Sequence, residues 1–345
     1  MKKIALSVIF IVLTTFAALT HYIDRTLQQP MYKQGNWLVT KGSSVYSVLR
    51  YLQPETSQLI IRLQLALWRF YERSTSIKAG EYVLKPDMTI TDSITMLIKG
   101  DVVLRDATLV EGWTVAQARQ YLSSVEGLVN DLQGTQWDAF LLSLNLDSST
   151  GGEGWFAPDT YHFSLGNKQT DIFRQAHSQL KSWLEEAWQQ RPKDLPLANP
   201  YELLILASII EKETALTSER GNIASVFLNR LRRGIRLQTD PTVIYGLGEA
   251  FDGDLRRRDL TSDTPYNTYR INGLPPTPIA LPSRDALMAV VNAPATDYLY
   301  FVAKGDGSSY FSTSLAEHNS AVKRYQLSRR DDYRSTPNQR NGNER

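Results

Sequence analysis

The sequence predicts an α+β protein with one N-terminal transmembrane helix, a small α+β module and a C-terminal mixed α/β domain. An uncharged apolar run follows Met1, Lys2 and Lys3. Two strand–turn–helix units then occur between residues 36 and 100, and amphipathic helices followed by a β-hairpin pattern occupy the C-terminal half. With 345 residues, of which 42% are hydrophobic and 21% charged, the chain is long enough for more than one packed domain.

The apolar run extends from Ile4 to Thr20, near the lower length limit for a helix that crosses a bilayer. Because two lysines precede it, we expect a cytoplasmic N-terminus. The rest of the chain then lies beyond the cytoplasmic (inner) membrane, in the periplasm or outside. The alternative is a cleaved signal peptide, with Thr15 and Ala17 as a weak cleavage site. Both alternatives place most of the chain outside the cytoplasm.

Between residues 36 and 100 the elements alternate in type. Strands are predicted at 37–39 and 82–84, and helices at 45–52, 58–73 and 90–98, with apolar residues on one face of the first and last helix. This order resembles a LysM-like glycan-binding module, although any small α+β domain can show the same pattern.

The C-terminal half contains several amphipathic helices. A helix with Thr114 as its cap begins near residue 114, and further helices are predicted at 171–190, 201–214 and 218–233. Alternation of residues 298–312 around a Gly-containing turn predicts a β-hairpin. The polar tail after residue 328 is expected to be disordered.

Composition excludes several kinds of partner and chemistry. The 38 basic and 36 acidic residues give a net charge of only +2, so we expect no nucleic-acid partner. The absence of cysteine excludes disulfides, thiolate nucleophiles and Cys-ligated zinc. The histidines, including His162, His177 and His318, follow no H-E-x-x-H spacing and accompany no nucleophile elbow, so we expect neither a metal site nor a cofactor.

The apolar segment 203–214 of the predicted helix 201–214 ends in two carboxylates, Glu211 and Glu213. Positions three, four and seven before Glu213 are large and apolar: Ile210, Ile209 and Leu206. The same positions before Glu211 are smaller or more polar: Ser208, Ala207 and Leu204. Glu213 is therefore better placed for burial, which raises the pKa of a carboxyl group and suits a general acid. The alternative is that both glutamates are solvated at a helix end.

Other residues are candidates for a glycan-binding cleft. Asp159, Glu219 and Asp240 are candidate second acids, although a turn, a helix start and a cap before Pro241 explain them equally well. Aromatic rings pack against sugar faces while polar side chains bind hydroxyls, which suggests six substrate-binding residues: Trp155, Tyr161, Gln238, Tyr266, Asn267 and Tyr269. For each aromatic residue, core packing is an equally good explanation.

Several sequence runs resemble the MltG (YceG-like) family. They are residues 207–214, 218–220, 224–231 and 237–246, with 153–161 upstream and 266–269 and 273–276 downstream. Ala157 departs from the pattern, since a bulkier apolar residue is expected there. The family's catalytic glutamate is the second of a Glu-Lys-Glu pair, which corresponds to Glu213. Glu211, Asp240 and Asp159 are then candidate supporting residues.

The resemblance implies a lyase, an endolytic lytic transglycosylase that limits the length of nascent peptidoglycan strands. Such an enzyme cleaves the MurNAc–GlcNAc β-1,4 bond and leaves a 1,6-anhydro-MurNAc end. The implied partners are glycan strands, the membrane and penicillin-binding proteins. A muramidase-type hydrolase and a non-catalytic peptidoglycan-binding scaffold are the alternatives.

The expected organisation follows from these assignments. It comprises an anchor at 1–24, the LysM-like module at 25–105, a connecting region at 106–165 that contributes to the cleft, a catalytic domain at 166–328, and the disordered tail at 329–345.

Overall fold

The structure is a computed structural model that describes residues 2–31, 33–71, 76–214 and 216–327. The tail predicted to be disordered, 329–345, lies outside the described residues. The chain divides into two compact units. The first contains residues up to Asp106 together with His162–Asn167, and the second contains Ala107–Tyr161 and the chain from Lys168 onwards. The mixed helix and strand content confirms the predicted α+β class.

The first unit begins with a long helix, α1 (Lys2–Leu27). A 22-residue segment of α1, Leu6–Leu27, is long and apolar enough to cross a membrane, and an 18-residue window within it has a mean hydropathy of 2.0. The helix extends beyond the predicted end of the anchor at residue 24, since Asp24 and Arg25 lie within it. Its last turns are part of the first unit, because Ile23 and Leu27 are buried there.

Two strands and three shorter helices complete the first unit. They are β1 (Gly35–Val39), α2 (Val45–Leu52), α3 (Gln58–Tyr71), β2 (Gly80–Leu84) and α4 (Ile90–Lys99). β1 and β2 pair antiparallel, with Trp37 opposite Tyr82. The positions predicted to face inward on α2 are buried, and Ser44 and Thr89 close capping boxes at the starts of α2 and α4.

The strands β3 (Arg105–Thr108) and β4 (Thr160–Phe163) form a further two-stranded sheet. Two of the boundaries between the two units fall within these strands. In the second unit, α5 (Val115–Ser124) begins at the predicted cap, Thr114, whose hydroxyl accepts from the Gln117 amide. Helix α6 (Gln136–Ser143) follows.

The core of the second unit is formed by four helices that pack against one another: α7 (Gln169–Gln190), α8 (Pro200–Glu213), α9 (Thr217–Arg232) and α12 (Arg284–Val291). Every residue of α8 from Leu203 to Ile210 is buried, so α8 is the central helix of this core. Asn199 caps α8 and Pro200 occupies its first turn, which fixes where the helix begins. The apolar interior of α8 thus brings its C-terminal carboxylates to the edge of the core.

The remaining elements of the second unit are α10 (Asp240–Leu247), α11 (Arg257–Leu260), β5 (Tyr300–Ala303), β6 (Ser309–Ser312) and α13 (Leu315–Val322). β5 and β6 form the predicted hairpin, with Phe301 opposite Phe311. The side chain of Arg230 on α9 donates through Nε to the carbonyl of Leu299 at 2.7 Å, which ties the hairpin to the helical core.

Candidate active site

Glu213 is the last residue of α8 and is partly buried. The hydroxyl of Thr239 donates a hydrogen bond to Oε1 of Glu213. Burial raises the pKa of Glu213 to about 7. The Thr239 hydrogen bond and the positive charge of Arg230 oppose this rise in pKa, whereas the negative charge of Asp240 adds to it. Near neutral pH, Glu213 can therefore either give or take a proton.

The loop before α10 holds Thr239 in place. The amide of Gln238 donates to the Thr268 carbonyl at 3.2 Å, and the amide of Thr239 donates to the Thr268 hydroxyl at 3.0 Å. Gln238 has a φ of +50°, a left-handed conformation that non-glycine residues rarely adopt. Such a conformation persists only where the surrounding contacts hold it, and these two bonds to Thr268 do so.

Arg230 is a buried cation beside the same loop. Its Nε and Nη1 atoms donate to the carbonyls of Leu299 and Leu237, both at 2.7 Å. Its charge favours the ionised form of Glu213, and burial lowers the pKa of Arg230 itself. The carbonyl contacts fix the guanidinium in the wall of the site, so its positive charge acts on Glu213 from a constant position.

Two clefts share Glu213 and Thr214 and otherwise have different lining residues. One has a volume of about 660 Å³ and is lined in part by Gln238, Asp240 and Tyr269. The other has a volume of about 700 Å³ and is lined in part by Gly112 and Asp159. Glu213 and Thr214 therefore lie where the two clefts adjoin.

Glu211 has a different environment from Glu213. Its side chain is only 4% exposed, and its Oε1 accepts from Nη2 of Arg220 at 2.8 Å. Its Oε2 accepts from the amide of Ser283 at 2.9 Å and from the Ser283 hydroxyl at 2.5 Å. Both carboxylate oxygens of Glu211 are therefore bonded to other residues of the protein, and these bonds join the end of α8 to α9 and to the start of α12. This geometry is that of a structural support.

Three predicted substrate-binding or supporting residues line one of the two clefts together with Glu213. Gln238, Asp240 and Tyr269 border the 660 Å³ cleft, and the Tyr269 hydroxyl donates to Oδ1 of Asp240 at 2.6 Å. Asp159 borders the other cleft, where one of its carboxylate oxygens accepts from the adjacent Thr160 amide at 2.7 Å.

Four other predicted substrate-binding residues lie outside the described lining of both clefts: Trp155, Tyr161, Tyr266 and Asn267. The ring of Trp155 stacks on Tyr201 with centroids 5.8 Å apart. Tyr161 is buried and its hydroxyl donates to the Ala157 carbonyl at 2.7 Å, while the Tyr266 hydroxyl bonds Thr277 at 2.8 Å. Each of these groups already has a partner within the protein.

The buried Asn267 organises the loop that leads to Tyr269. Its Nδ2 donates to the Ser262 carbonyl at 2.6 Å, and its Oδ1 accepts from the Tyr269 amide at 3.0 Å. The candidate acid Glu219 instead accepts from the amide of Ser309 at 2.7 Å, a contact with the hairpin. Ala157 is fully buried in the helical core.

Sequence reasoning missed four residues of interest: Thr239, Arg230, His318 and Glu153. Thr239 and Arg230 lie within runs that resemble the family, but nothing local distinguishes a hydroxyl or guanidinium that faces a carboxylate from one that does not. His318 stacks on Tyr300 and lines the 660 Å³ cleft. Glu153 is buried and accepts from the Val115 amide and the Tyr245 hydroxyl, and burial raises its pKa to about 7.

Within the described ranges, no group of three or more His, Asp or Glu residues is arranged to hold a metal ion.

Comparison with known proteins supports one family. The profile of the YceG-like family matches residues 37–324. The chain is 31% identical over 324 residues to the endolytic murein transglycosylase of Bacillus subtilis, covering 87% of this chain and 88% of the relative. It is 30% identical over 285 residues to the endolytic murein transglycosylase of Streptococcus pneumoniae serotype 2, covering 73% of this chain and 51% of that relative.

A solved structure gives the same result. The crystal structure of a YceG-like protein from Listeria monocytogenes aligns with 84% of this chain and 99% of its own, with a TM-score of 0.53 and 28% sequence identity. The family match extends from within the first unit into the second, and the sequence runs around Glu213 fall within it. This chain belongs to the YceG-like family.

Proposed function

We propose that this chain is an endolytic murein transglycosylase that cleaves peptidoglycan strands, with Glu213 as both acid and base. It is an enzyme of the lyase class, because the relatives that match most of its length are named murein transglycosylases. The observation that carries the residue assignment is Glu213 itself: a partly buried carboxyl, with a pKa raised to about 7, at the junction of two clefts.

The proposed reaction uses the two protonation states of Glu213 in turn. The protonated carboxyl donates to the glycosidic oxygen between MurNAc and GlcNAc, and the C1–O bond breaks as an oxocarbenium-like centre develops. The resulting carboxylate then takes the proton of the MurNAc 6-hydroxyl, whose oxygen bonds to C1. The products are a GlcNAc hydroxyl and a 1,6-anhydro-MurNAc end, and no water is consumed. Glu213 is protonated again at the end of the cycle.

The cleft residues suggest supporting roles. The negative charge of Asp240, which already acts on Glu213, is suited to favour positive charge at the anomeric carbon. Gln238 and Tyr269 offer an amide and a ring for sugar binding in the same cleft. The internal contacts of Trp155, Tyr161, Tyr266 and Asn267 favour roles in shaping the site rather than in touching the glycan. Clefts that meet at Glu213 suit cleavage within a strand.

The first unit supports a location at the membrane. Because lysines precede the apolar segment of α1, we assign it as a retained single-pass anchor, with the active site in the periplasm or outside the membrane. The order β1–α2–α3–β2 with paired strands agrees with a LysM-like module that binds glycan. Penicillin-binding proteins, which make glycan strands at the same membrane, are the partners that this location favours.

Product analysis tests the proposal. Purified full-length protein is incubated with uncrosslinked glycan strands, and the fragments are analysed by mass spectrometry. We expect internal cleavage with anhydro ends. Fragments with reducing ends would instead indicate a hydrolase that uses water, for which Asp240 is an available second carboxylate. No cleavage would indicate a binding scaffold.

Glu213→Gln tests the assigned residue. Gln has a similar shape but cannot transfer a proton, so activity should fall by about 10² to 10⁴ or more. Binding to purified sacculi should be unchanged. Glu185→Gln, an exposed position on α7, is the matched control and should keep full activity. Retention of more than about a tenth of activity by Glu213→Gln would show that another group is the acid.

A further inference from the structure

The C-terminal end of α3 carries two exposed aromatic rings. Phe70 is 80% exposed and Tyr71 is 69% exposed, and their ring centroids are 5.4 Å apart. Both residues follow Trp68, whose own side chain is buried in the core of the first unit. The helix end therefore presents an apolar surface that the described residues of this unit leave uncovered, and adjacent exposed rings of this kind commonly mark an interaction surface.

Helix α3 runs back along α1. Nε2 of Gln64 donates to the Thr26 hydroxyl at 3.0 Å, which places the first half of α3 beside the end of α1. The later part of α3 shares an apolar groove of about 340 Å³ with earlier residues of α1. Its lining includes Phe16, Leu19, Ile23, Leu67, Phe70 and Tyr71. The two rings therefore lie beside the part of α1 that precedes Thr26.

The length of α1 indicates how deep Phe70 and Tyr71 lie relative to the membrane. A bilayer core about 30 Å thick needs about 20 helical residues, so a span that begins after Lys3 ends near Ile23. Asp24 and Arg25 are the first charged residues beyond it. Phe16 and Leu19 are then within the outer part of the hydrocarbon layer. Phe70 and Tyr71, which share their groove, reach the same level.

The charges of α3 fit a lipid surface. Arg62 and Arg69 are exposed, and the helix sequence from Gln58 to Tyr71 contains no acidic residue. Exposed arginines beside aromatic rings are typical of a segment at the boundary between headgroups and acyl chains, where the rings enter the bilayer and the guanidinium groups bind phosphate.

We propose that the aromatic end of α3, formed by Leu67, Phe70 and Tyr71, inserts into the outer leaflet of the membrane that α1 spans. The groove between α1 and α3 then takes a lipid acyl chain. This inference rests on the proposed retention of α1 as an anchor. It gives the first unit a second attachment to the bilayer, so the proposed glycan-binding module is held at the membrane surface in one orientation instead of swinging from a single helix.

Fluorescence quenching in vesicles tests the insertion, and the chain contains no cysteine that would interfere with labelling. Single cysteines are introduced in the full-length protein as Phe70→Cys, Leu13→Cys and Glu55→Cys, and each is labelled with an environment-sensitive fluorophore. Glu55 is an exposed residue that shares a cleft with Gln29 and Met31, just beyond the outer end of α1. Since all three side chains are exposed, the substitutions leave the core unchanged.

The proteins are reconstituted in phosphatidylethanolamine–phosphatidylglycerol vesicles that contain lipids with a nitroxide on the acyl chain. We expect the probes at positions 70 and 13 to lose fluorescence and the probe at position 55 to keep it. If position 13 is quenched and position 70 behaves like position 55, the insertion is wrong and the anchor stands. If position 13 is not quenched, both the anchor and the insertion are wrong. Neither result depends on transglycosylase activity.

Discussion

The Thr239 hydroxyl donates to Oε1 of Glu213, while the Thr239 amide is held at 3.0 Å from the Thr268 hydroxyl. This hydrogen bond stabilises the carboxylate form of Glu213 and opposes the rise in its pKa that burial causes. A proton donor that must also act as a base needs both forms to be accessible near the working pH. In the proposed reaction, Thr239 is therefore a positioning residue that also adjusts the pKa of Glu213.

Thr239→Val should raise the pKa of Glu213 above about 7. A hydrogen bond to a charged group contributes about 1.5 kcal/mol, so the rise should be about one pH unit. The high-pH limb of kcat/KM, on which the proton donor is lost, then moves to higher pH. Glycan cleavage measured from pH 5 to pH 9 checks this. Thr217→Val, at an exposed position on α9, is the control, and an unchanged limb in Thr239→Val would show that the bond does not influence catalysis.

Asp240→Asn should have the opposite effect. The negative charge of Asp240 raises the pKa of Glu213, so its removal should lower that pKa and move the high-pH limb to lower pH. Asparagine can still accept the hydrogen bond from the Tyr269 hydroxyl, which keeps the cleft wall in place. Glycan cleavage measured from pH 5 to pH 9 checks the direction of this shift. A shift in the same direction as that of Thr239→Val would contradict the electrostatic role of Asp240.

Glu211→Gln should affect stability more than chemistry. The neutral amide leaves Arg220 buried without its 2.8 Å carboxylate partner, and the amide nitrogen cannot accept from Ser283 or Arg220. Loss of one member of a buried ion pair typically costs about 3 to 5 kcal/mol. Thermal unfolding followed by circular dichroism should show a clear fall in Tm relative to Glu185→Gln. If Glu211→Gln instead melts normally and is inactive, Glu211 takes part in the reaction.

The helical pattern alone predicted much of what surrounds Glu213. The stripe Leu206, Ile209 and Ile210 is fully buried, and the glutamate that continues it has the raised pKa. Periodicity works here because α8 is regular and uniformly apolar. The bonds of Glu211 were not predictable in this way, since Ser283 is 72 positions further along the chain. A contact of that range depends on how α12 packs, and no local pattern records it.

Loops and helix ends were harder to predict for a physical reason. Asn267 and Tyr269 belong to a loop in which residue type does not indicate direction, and the structure places the first inward and the second in the cleft. Likewise, Asp24 and Arg25 end the apolar run but not the helix, because α1 continues to Leu27. A change in polarity marks the end of a membrane span, whereas a helix ends where its backbone hydrogen bonding ends.

The buried Glu153 should make stability depend on pH. Burial raises the pKa of Glu153 to about 7, against 4.5 for an ordinary glutamate, despite hydrogen bonds from the Val115 amide and the Tyr245 hydroxyl. Between these pH values the folded protein holds a proton that the unfolded chain releases, so the free energy of unfolding falls as pH rises from 4.5 to 7. Glu213 contributes in the same direction, because its pKa is raised to a similar value.

Glu153→Gln removes one of these two titrations. Its amide oxygen can still accept from Val115, and its nitrogen can donate to the Tyr245 oxygen. From pH 5 to pH 8, the free energy of unfolding should therefore fall by about 2 to 3 kcal/mol less in the variant than in the original chain. Urea unfolding at several pH values measures the difference, and Glu185→Gln should keep the original dependence. If Glu153→Gln shows the same pH dependence as the original chain, Glu153 is ionised throughout this range.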